Sequence, residues 1–313
     1  MKTSRSEFIT IRDLRHHVRH WGSEAAPKLF MMHGWMDMSA SFQFLVDCLV
    51  KDWHVIAPDW RGFGQTQFAS GHSYWFPDYV ADLDAILRHY SPDAPVYLLG
   101  HSMGGNVSCI YAGVRPERII KLVNLEGYGL PSSRPEEAPF RYQHWLDELH
   151  HPPAPKAYAS RADVAALLQK INPRLSDGRA MFLSGHWAAP NAAGLWEVQA
   201  DPMHRNSSPL LYRAEEALAC WSGITAPVLW VEAEETDIWQ RLGATWSVGH
   251  PPTGETEGEL IKRLGSRQYF RAEFDRRMAS IPKVTTALIR NSGHMVQHDQ
   301  PEVVAKLIED FLV

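Results

Sequence analysis

Residues 96–105, Val-Tyr-Leu-Leu-Gly-His-Ser-Met-Gly-Gly, decide how this chain is read. An apolar run ends in Gly100-x-Ser102-x-Gly104, and Asn106 to Gly113 follows as a small-residue segment able to wind as a helix. The expected order is strand, sharp turn, helix. A serine on such a turn has strained backbone torsions, and glycines on both sides leave no Cβ to collide with strand or helix. Its hydroxyl is thereby pushed into the open. The Met103 amide then lies at a helix start, unpaired within the helix and near the positive dipole end, where it can stabilise a developing oxyanion. Glycine and serine are common, so the motif takes its weight from its place between an apolar strand and a helix. The bland alternative is a glycine-rich connection with a bystander serine.

Outward from this stretch, 313 residues suit one large α/β domain or a domain with an insertion. A hydrophobic fraction of 45% and a charged fraction of 21% are ordinary for a globular protein. A net charge of −5, a pI near 6.3 and the absence of a long basic run give no reason to propose nucleic acid as a partner. Cys48, Cys109 and Cys220 have no Cys-x-x-Cys spacing and read as reduced, packed thiols. Met1 to Thr10 has no apolar core, and no run reaches the roughly 18 apolar residues of a membrane span. A cytoplasmic location without membrane attachment is the expectation.

Phe8 to His20 reads as two short strands with a turn near Arg12 and Asp13; its histidines are taken as polar side chains of an edge strand rather than metal ligands. Pro27 to Met32 is a buried-strand candidate ending in His33-Gly34-Trp35, and a helix is expected around Ser39 to Val50. Loops at the carboxyl ends of parallel strands are where ligands meet an α/β sheet. The Trp35 amide would be the second oxyanion donor, opposite Met103, and His33 a brace of its own loop. Trp53 to Pro58 is another strand, leading into Asp59-Trp60-Arg61-Gly62-Phe63-Gly64, where Arg61 reads as an ion-pairing brace. Pro77 to Tyr90 follows as a helix with Val80, Leu83, Ile86 and Leu87 on one face.

His33-Gly34-Trp35, Pro58-Asp59-x-Arg61-Gly62-Phe63-Gly64 and Gly100-His101-Ser102-Met103-Gly104-Gly105, in this order, resemble the α/β-hydrolase superfamily of the type with a helical cap. The resemblance runs from Phe8 to Gly127 and from Thr225 to the end. It implies a mostly parallel central sheet of about eight strands flanked by helices. The division expected is a core of residues 1–130 and 222–313 and an inserted helical cap of residues 131–221. Between Pro131 and Trp221 the chain shows proline-broken helical pieces, no clear strand, and many aromatics, which suits a cover over the sheet edge. Ile119 to Leu125, Ala226 to Glu232 and Lys283 to Ile289 read as strands, Gly254 to Ser280 as mainly helical, and Pro301 to Val313 as a closing amphipathic helix.

A serine hydroxyl needs a base to take its proton, and the base needs an anion to fix its tautomer. His294 follows the last strand after Ser292-Gly293 and resembles the superfamily's catalytic histidine. For the acid, the superfamily usually has Gly-x-x-Asp after the strand that follows the cap. Here the stretch is Ala233-Glu234-Glu235-Thr236-Asp237, with threonine at the expected place. Asp237 is the first choice. Glu126 competes, because some branches, haloalkane dehalogenases among them, take the acid from the strand before the cap.

Serine at position 102 argues against dehalogenase and epoxide hydrolase activity, whose family nucleophile is aspartate. The expectation is hydrolysis of a carboxylic ester or thioester of a small, apolar molecule through an acyl-enzyme, with no cofactor and no metal. Carbon–carbon bond hydrolysis, perhydrolysis, and a ligand-binding or signalling protein that keeps the pocket are the alternatives.

Overall fold

The computed structural model describes residues 1–69, 73–238 and 267–313. Strands β1 (Ser4–Ile11) and β2 (Leu14–Trp21) form a hairpin whose turn residues, Arg12 and Asp13, take φ of 47° and 65°. Then come β3 (Lys28–Met32), β4 (His54–Pro58), β5 (Val96–His101), β6 (Ile119–Leu125), β10 (Val228–Ala233) and β11 (Val284–Ile289). These eight strands form one sheet in the order β1-β2-β4-β3-β5-β6-β10-β11. Pairing is parallel from β4 to β11, and β2 is antiparallel to both neighbours. The α/β-hydrolase sheet expected from the motifs is therefore present.

Parallel strands need helices on both faces. One face buries Phe30, Ile56, Leu98, Leu122 and Trp230 against helices α2 (Phe76–Tyr90), α3 (Met103–Val114) and α7 (Ala214–Ser222). The other buries Leu29, Met31, Val55, Leu99 and Val231 against α1 (Gln43–Cys48) and α10 (Pro301–Leu312). Pro301 at the first turn and buried Val304, Ala305, Ile308 and Leu312 explain why the last segment is helical and how it lies.

Two expectations need correction. β2 is interior, between β1 and β4, so His16, His17 and His20 are buried rather than set on an edge; His17 Nδ1 lies 2.7 Å from Asp59 Oδ2. The segment after β6 also contains strands. Alongside α4 (Ala138–His150), α5 (Arg161–Ile171) and α6 (Asp177–Trp187), β7 (Ala157–Tyr158), β8 (Ala188–Pro190) and β9 (Trp196–Val198) make a small antiparallel sheet. Strands of two or three residues are too short to show alternation in a sequence. Of the helical stretch expected over Gly254 to Ser280, α8 (Arg267–Met278) is seen, and residues 254–266 lie outside the described ones. A short helix, α9 (Val296–Asp299), precedes α10. No helix among the described residues is long and apolar enough to cross a membrane.

The loop after β4 is held as the motif suggested. Arg61 Nε and Nη2 donate to the two oxygens of Asp82, each at 2.6 Å, and Asp82 is fully buried. Removing one partner of a buried pair leaves the other charge uncompensated. Arg61→Leu should lower unfolding free energy by about 3 kcal/mol, the low end for such a loss, because Arg12 Nη1 remains 3.0 Å from Asp82. The urea midpoint at constant m-value measures this.

Candidate active site

Ser102 stands between β5 and α3 with φ 51° and ψ −117°, a left-handed conformation that non-glycine residues avoid. The strain is imposed by close backbone packing. A Cβ on Gly104 would lie 2.1 Å from the Met32 carbonyl oxygen, and one on Gly100 would lie 2.4 Å from the Gly104 carbonyl. Only glycines let α3 start this near the ends of β3 and β5. The Ser102 amide donates to the Leu125 carbonyl at 2.8 Å, which ties the turn to β6.

His294 Nε2 is 3.0 Å from Ser102 Oγ, and His294 Nδ1 is 3.2 Å from Glu126 Oε2. With Nδ1–H donating to the carboxylate, Nε2 is left to accept the serine proton. The loop carrying His294 is braced from several sides. His101 Nε2–H donates to the His294 carbonyl at 2.9 Å, and the Gly293 amide donates to Asp299 Oδ2 at 2.8 Å. Burial beside His294 holds the His101 imidazole well below its ordinary pKa, so it stays neutral.

Glu126 ends β6 with φ 58°. Asn124 closes the turn there, donating from Nδ2 to the Gly127 carbonyl at 3.0 Å and accepting the Gly127 amide at 2.8 Å. The Glu126 carboxylate is buried and richly satisfied. Oε1 accepts from the Tyr128 hydroxyl at 2.5 Å and the Ala233 amide at 2.6 Å, and Oε2 accepts from the Thr236 hydroxyl at 2.5 Å as well as from His294. Burial, then the Glu126 charge, raises the Tyr128 pKa, which keeps that hydroxyl a donor.

Of the two carboxylates weighed from the sequence, Glu126, the second choice, is the one in hydrogen-bond contact with His294. Asp237 is half-buried just beyond Thr236. Threonine at the place where aspartate was expected donates to the Glu126 carboxylate, which follows β6. Tyr128 and Thr236 escaped sequence reading because a donor to a buried carboxylate has no spacing signature of its own.

Trp35 and Met103 also meet at this place. A Cβ on Gly34 would be 3.2 Å from Ser102 Cβ, so the loop after β3 lies against the serine. Among the described residues neither the Trp35 nor the Met103 amide has a protein acceptor. His33 braces that loop: Nδ1–H donates to the Gly34 carbonyl at 2.7 Å, Nε2 accepts the Trp60 amide at 2.9 Å, and Trp60 Nε1 donates to the His33 carbonyl. His298 turns away from His294, with Nε2 2.7 Å from Ser41 Oγ.

Residues 27–150 match the family model described as alpha/beta hydrolase fold. A serine hydrolase-like protein of Danio rerio is 34% identical over 138 residues, 41% of this chain; the match spans 40% of that relative's length. The AB hydrolase superfamily protein YfhM of Bacillus subtilis (strain 168) is 24% identical over 98% of this chain and 97% of its own. Among solved structures, the thioesterase domain from the curacin biosynthetic pathway superposes with a TM-score of 0.78, covering 98% of this chain and 99% of that one at 21% identity.

Several histidines around these loops are held neutral by burial. It pushes His20, His33 and His298 down to about 4 and His204 to about 3. The unfolded chain takes up protons on them below about pH 6.5 while the folded chain does not. Stability should therefore be full above that pH and fall as pH drops from 6.5 toward 4. Asp37, raised by burial to about 7, acts in the opposite direction, but it is outweighed by these four together with His16, His54, His101 and His186, which burial also lowers. Melting temperatures at pH 7.5 and 5 test this, and equal values would contradict it.

Proposed function

The chain is an α/β hydrolase by fold, and from that premise we propose that it is a serine hydrolase acting on a carboxylic ester or thioester. Ser102 is the nucleophile, His294 the general base and acid, and Glu126, rather than Asp237, the triad acid. The single observation that carries this reading is the unbroken hydrogen-bond chain from Ser102 Oγ through His294 to Glu126, at 3.0 and 3.2 Å.

Ser102 Oγ attacks the carbonyl carbon as its proton passes to His294 Nε2, and the tetrahedral oxygen lies between the Trp35 and Met103 amides. The imidazolium is stabilised by Glu126, and its proton then goes to the departing oxygen or sulfur. A water, deprotonated by His294, attacks the acyl-enzyme and releases the acid and the free serine. Esters and thioesters suit this apparatus because their leaving groups need less protonation than an amine. The serine hydrolase-like and thioesterase names of the similar proteins are consistent with the class.

The test is steady-state hydrolysis of p-nitrophenyl esters. Ser102→Ala should abolish turnover. Glu126→Gln should lower kcat by about 10³- to 10⁴-fold, as expected when the histidine loses its anionic partner. Asp237→Asn should cost less than about tenfold. A larger loss in the Asp237 variant, with both proteins folded by circular dichroism, would reassign the acid. No Ser102-dependent turnover on any ester, together with no labelling of Ser102 by a fluorophosphonate, would sink the hydrolase reading.

A further inference from the structure

A groove of about 1010 Å³ begins at Trp35 and Met103 and runs away between α2 and α3. Met103, Ile110 and Val114 line it from α3 at i, i+7 and i+11, one face of that helix. Trp145 of α4 covers it and meets Trp75, at the start of α2, with ring centroids 6.1 Å apart. Large apolar side chains are left uncovered along it: Trp35, Val114 and Leu210 are about half exposed, at 53%, 48% and 48%, and Leu130 at 38%. Apolar side chains gathered in one concavity fit an apolar occupant.

We propose that this groove holds the acyl chain of the substrate, and that the chain is long and unbranched. The inference rests on the serine hydrolase reading and deepens it. His294 must reach the departing atom, so the leaving group lies on the His294 side of Ser102. Neither Ser102 nor His294 borders the groove; Trp35 and Met103, whose amides would hold the carbonyl oxygen, do, so the groove approaches the reacting carbon from the oxyanion side, away from the departing atom. The part of the substrate entering the groove is therefore the part that stays on the serine. The twelve residues of α3 span about 18 Å. An extended chain of sp³ carbons with ~1.5 Å bonds advances about 1.3 Å per carbon, so the wall accommodates about fourteen carbons. Its far end meets solvent at Val114 and Arg115, both exposed, so no wall among the described residues caps the length.

A fully buried methylene contributes about 0.8 kcal/mol, a factor of about four, and one lying in an open groove about a factor of two. Eight methylenes then give a rise on the order of a hundredfold. Two ester series read this: p-nitrophenyl esters with acyl chains from butanoate to dodecanoate, and acetates of alcohols from butyl to dodecyl. The acyl series should rise on the order of a hundredfold in kcat/KM, and the alcohol series should stay within about threefold. Ile110→Trp, which fills the groove midway, should lower the dodecanoate-to-butanoate ratio by at least about tenfold; Trp145→Ala, which removes the cover, should lower it too. Butanoate turnover in the same variant reports that it is folded. Ser102-dependent turnover with a flat acyl series, or with a rise along the alcohol series, overturns the groove assignment while the hydrolase reading stands. No Ser102-dependent turnover, together with no labelling of Ser102 by a fluorophosphonate, overturns both.

Discussion

The first turn of α3 lies directly on the end of β3, with no side chain between Gly104 and the Met32 carbonyl. That backbone contact sets the height and tilt at which Ser102 emerges, and the neighbouring loops are built to the same constraint. Among the described residues six non-glycines have positive φ; Met36 (56°), Ser102 (51°), Glu126 (58°) and Asn291 (53°) lie in the loops after β3, β5, β6 and β11. Each such residue costs about 1–3 kcal/mol and persists only where its surroundings over-determine it. Four of them at the carboxyl ends of four parallel strands mark where the sheet is made to hold side chains out of their relaxed positions.

Two buried carboxylates solve the same desolvation problem to different ends. Asp59 accepts the Ser39 amide, the Gln65 amide and His17, and although burial alone would raise it, those partners, with His33, hold its pKa below the ordinary carboxylate range. Its donors come from strand β2 and from the loops after β3 and β4, so it ties those loops to the sheet. Glu126 accepts from Tyr128, Ala233 and Thr236 and spends its remaining contact on His294. A charge surrounded by fixed donors needs no solvent rearrangement when the imidazole gains its proton.

The elbow was legible in the sequence because its chemistry is local: glycines, serine and a strand-to-helix change lie within ten residues. Long strands and helices were legible by their apolar period; Ile119–Leu125 has the bounds the sequence indicated, and the helix expected over Pro77 to Tyr90 is α2, Phe76–Tyr90. Which carboxylate meets His294 was not, because the loops after β6 and β10 each carry one near the same imidazole. The choice depends on which of those two loops is folded toward His294, a matter of contacts distant in sequence. The short strands β7 to β9 and the burial of the β2 histidines were missed for the same reason: each depends on what lies beside the strand, and His17 and His20 find Asp59 and His54 42 and 34 residues away.

Helices α5 and α6 are bolted to the loops beneath them. Trp187 Nε1 donates to the Met36 carbonyl at 2.8 Å, Arg179 Nη1 to the His298 carbonyl at 2.6 Å, and Asn172 Nδ2 to Asp299 Oδ1 at 2.7 Å; Arg174 pairs with Glu235. Asp299 in turn holds the Gly293 amide. The helix pair and the His294 loop thus form one cooperative unit, with bonds running through both. In native-state hydrogen exchange their amides would share a single opening free energy, and the helix pair and the His294 loop would come away in the same event.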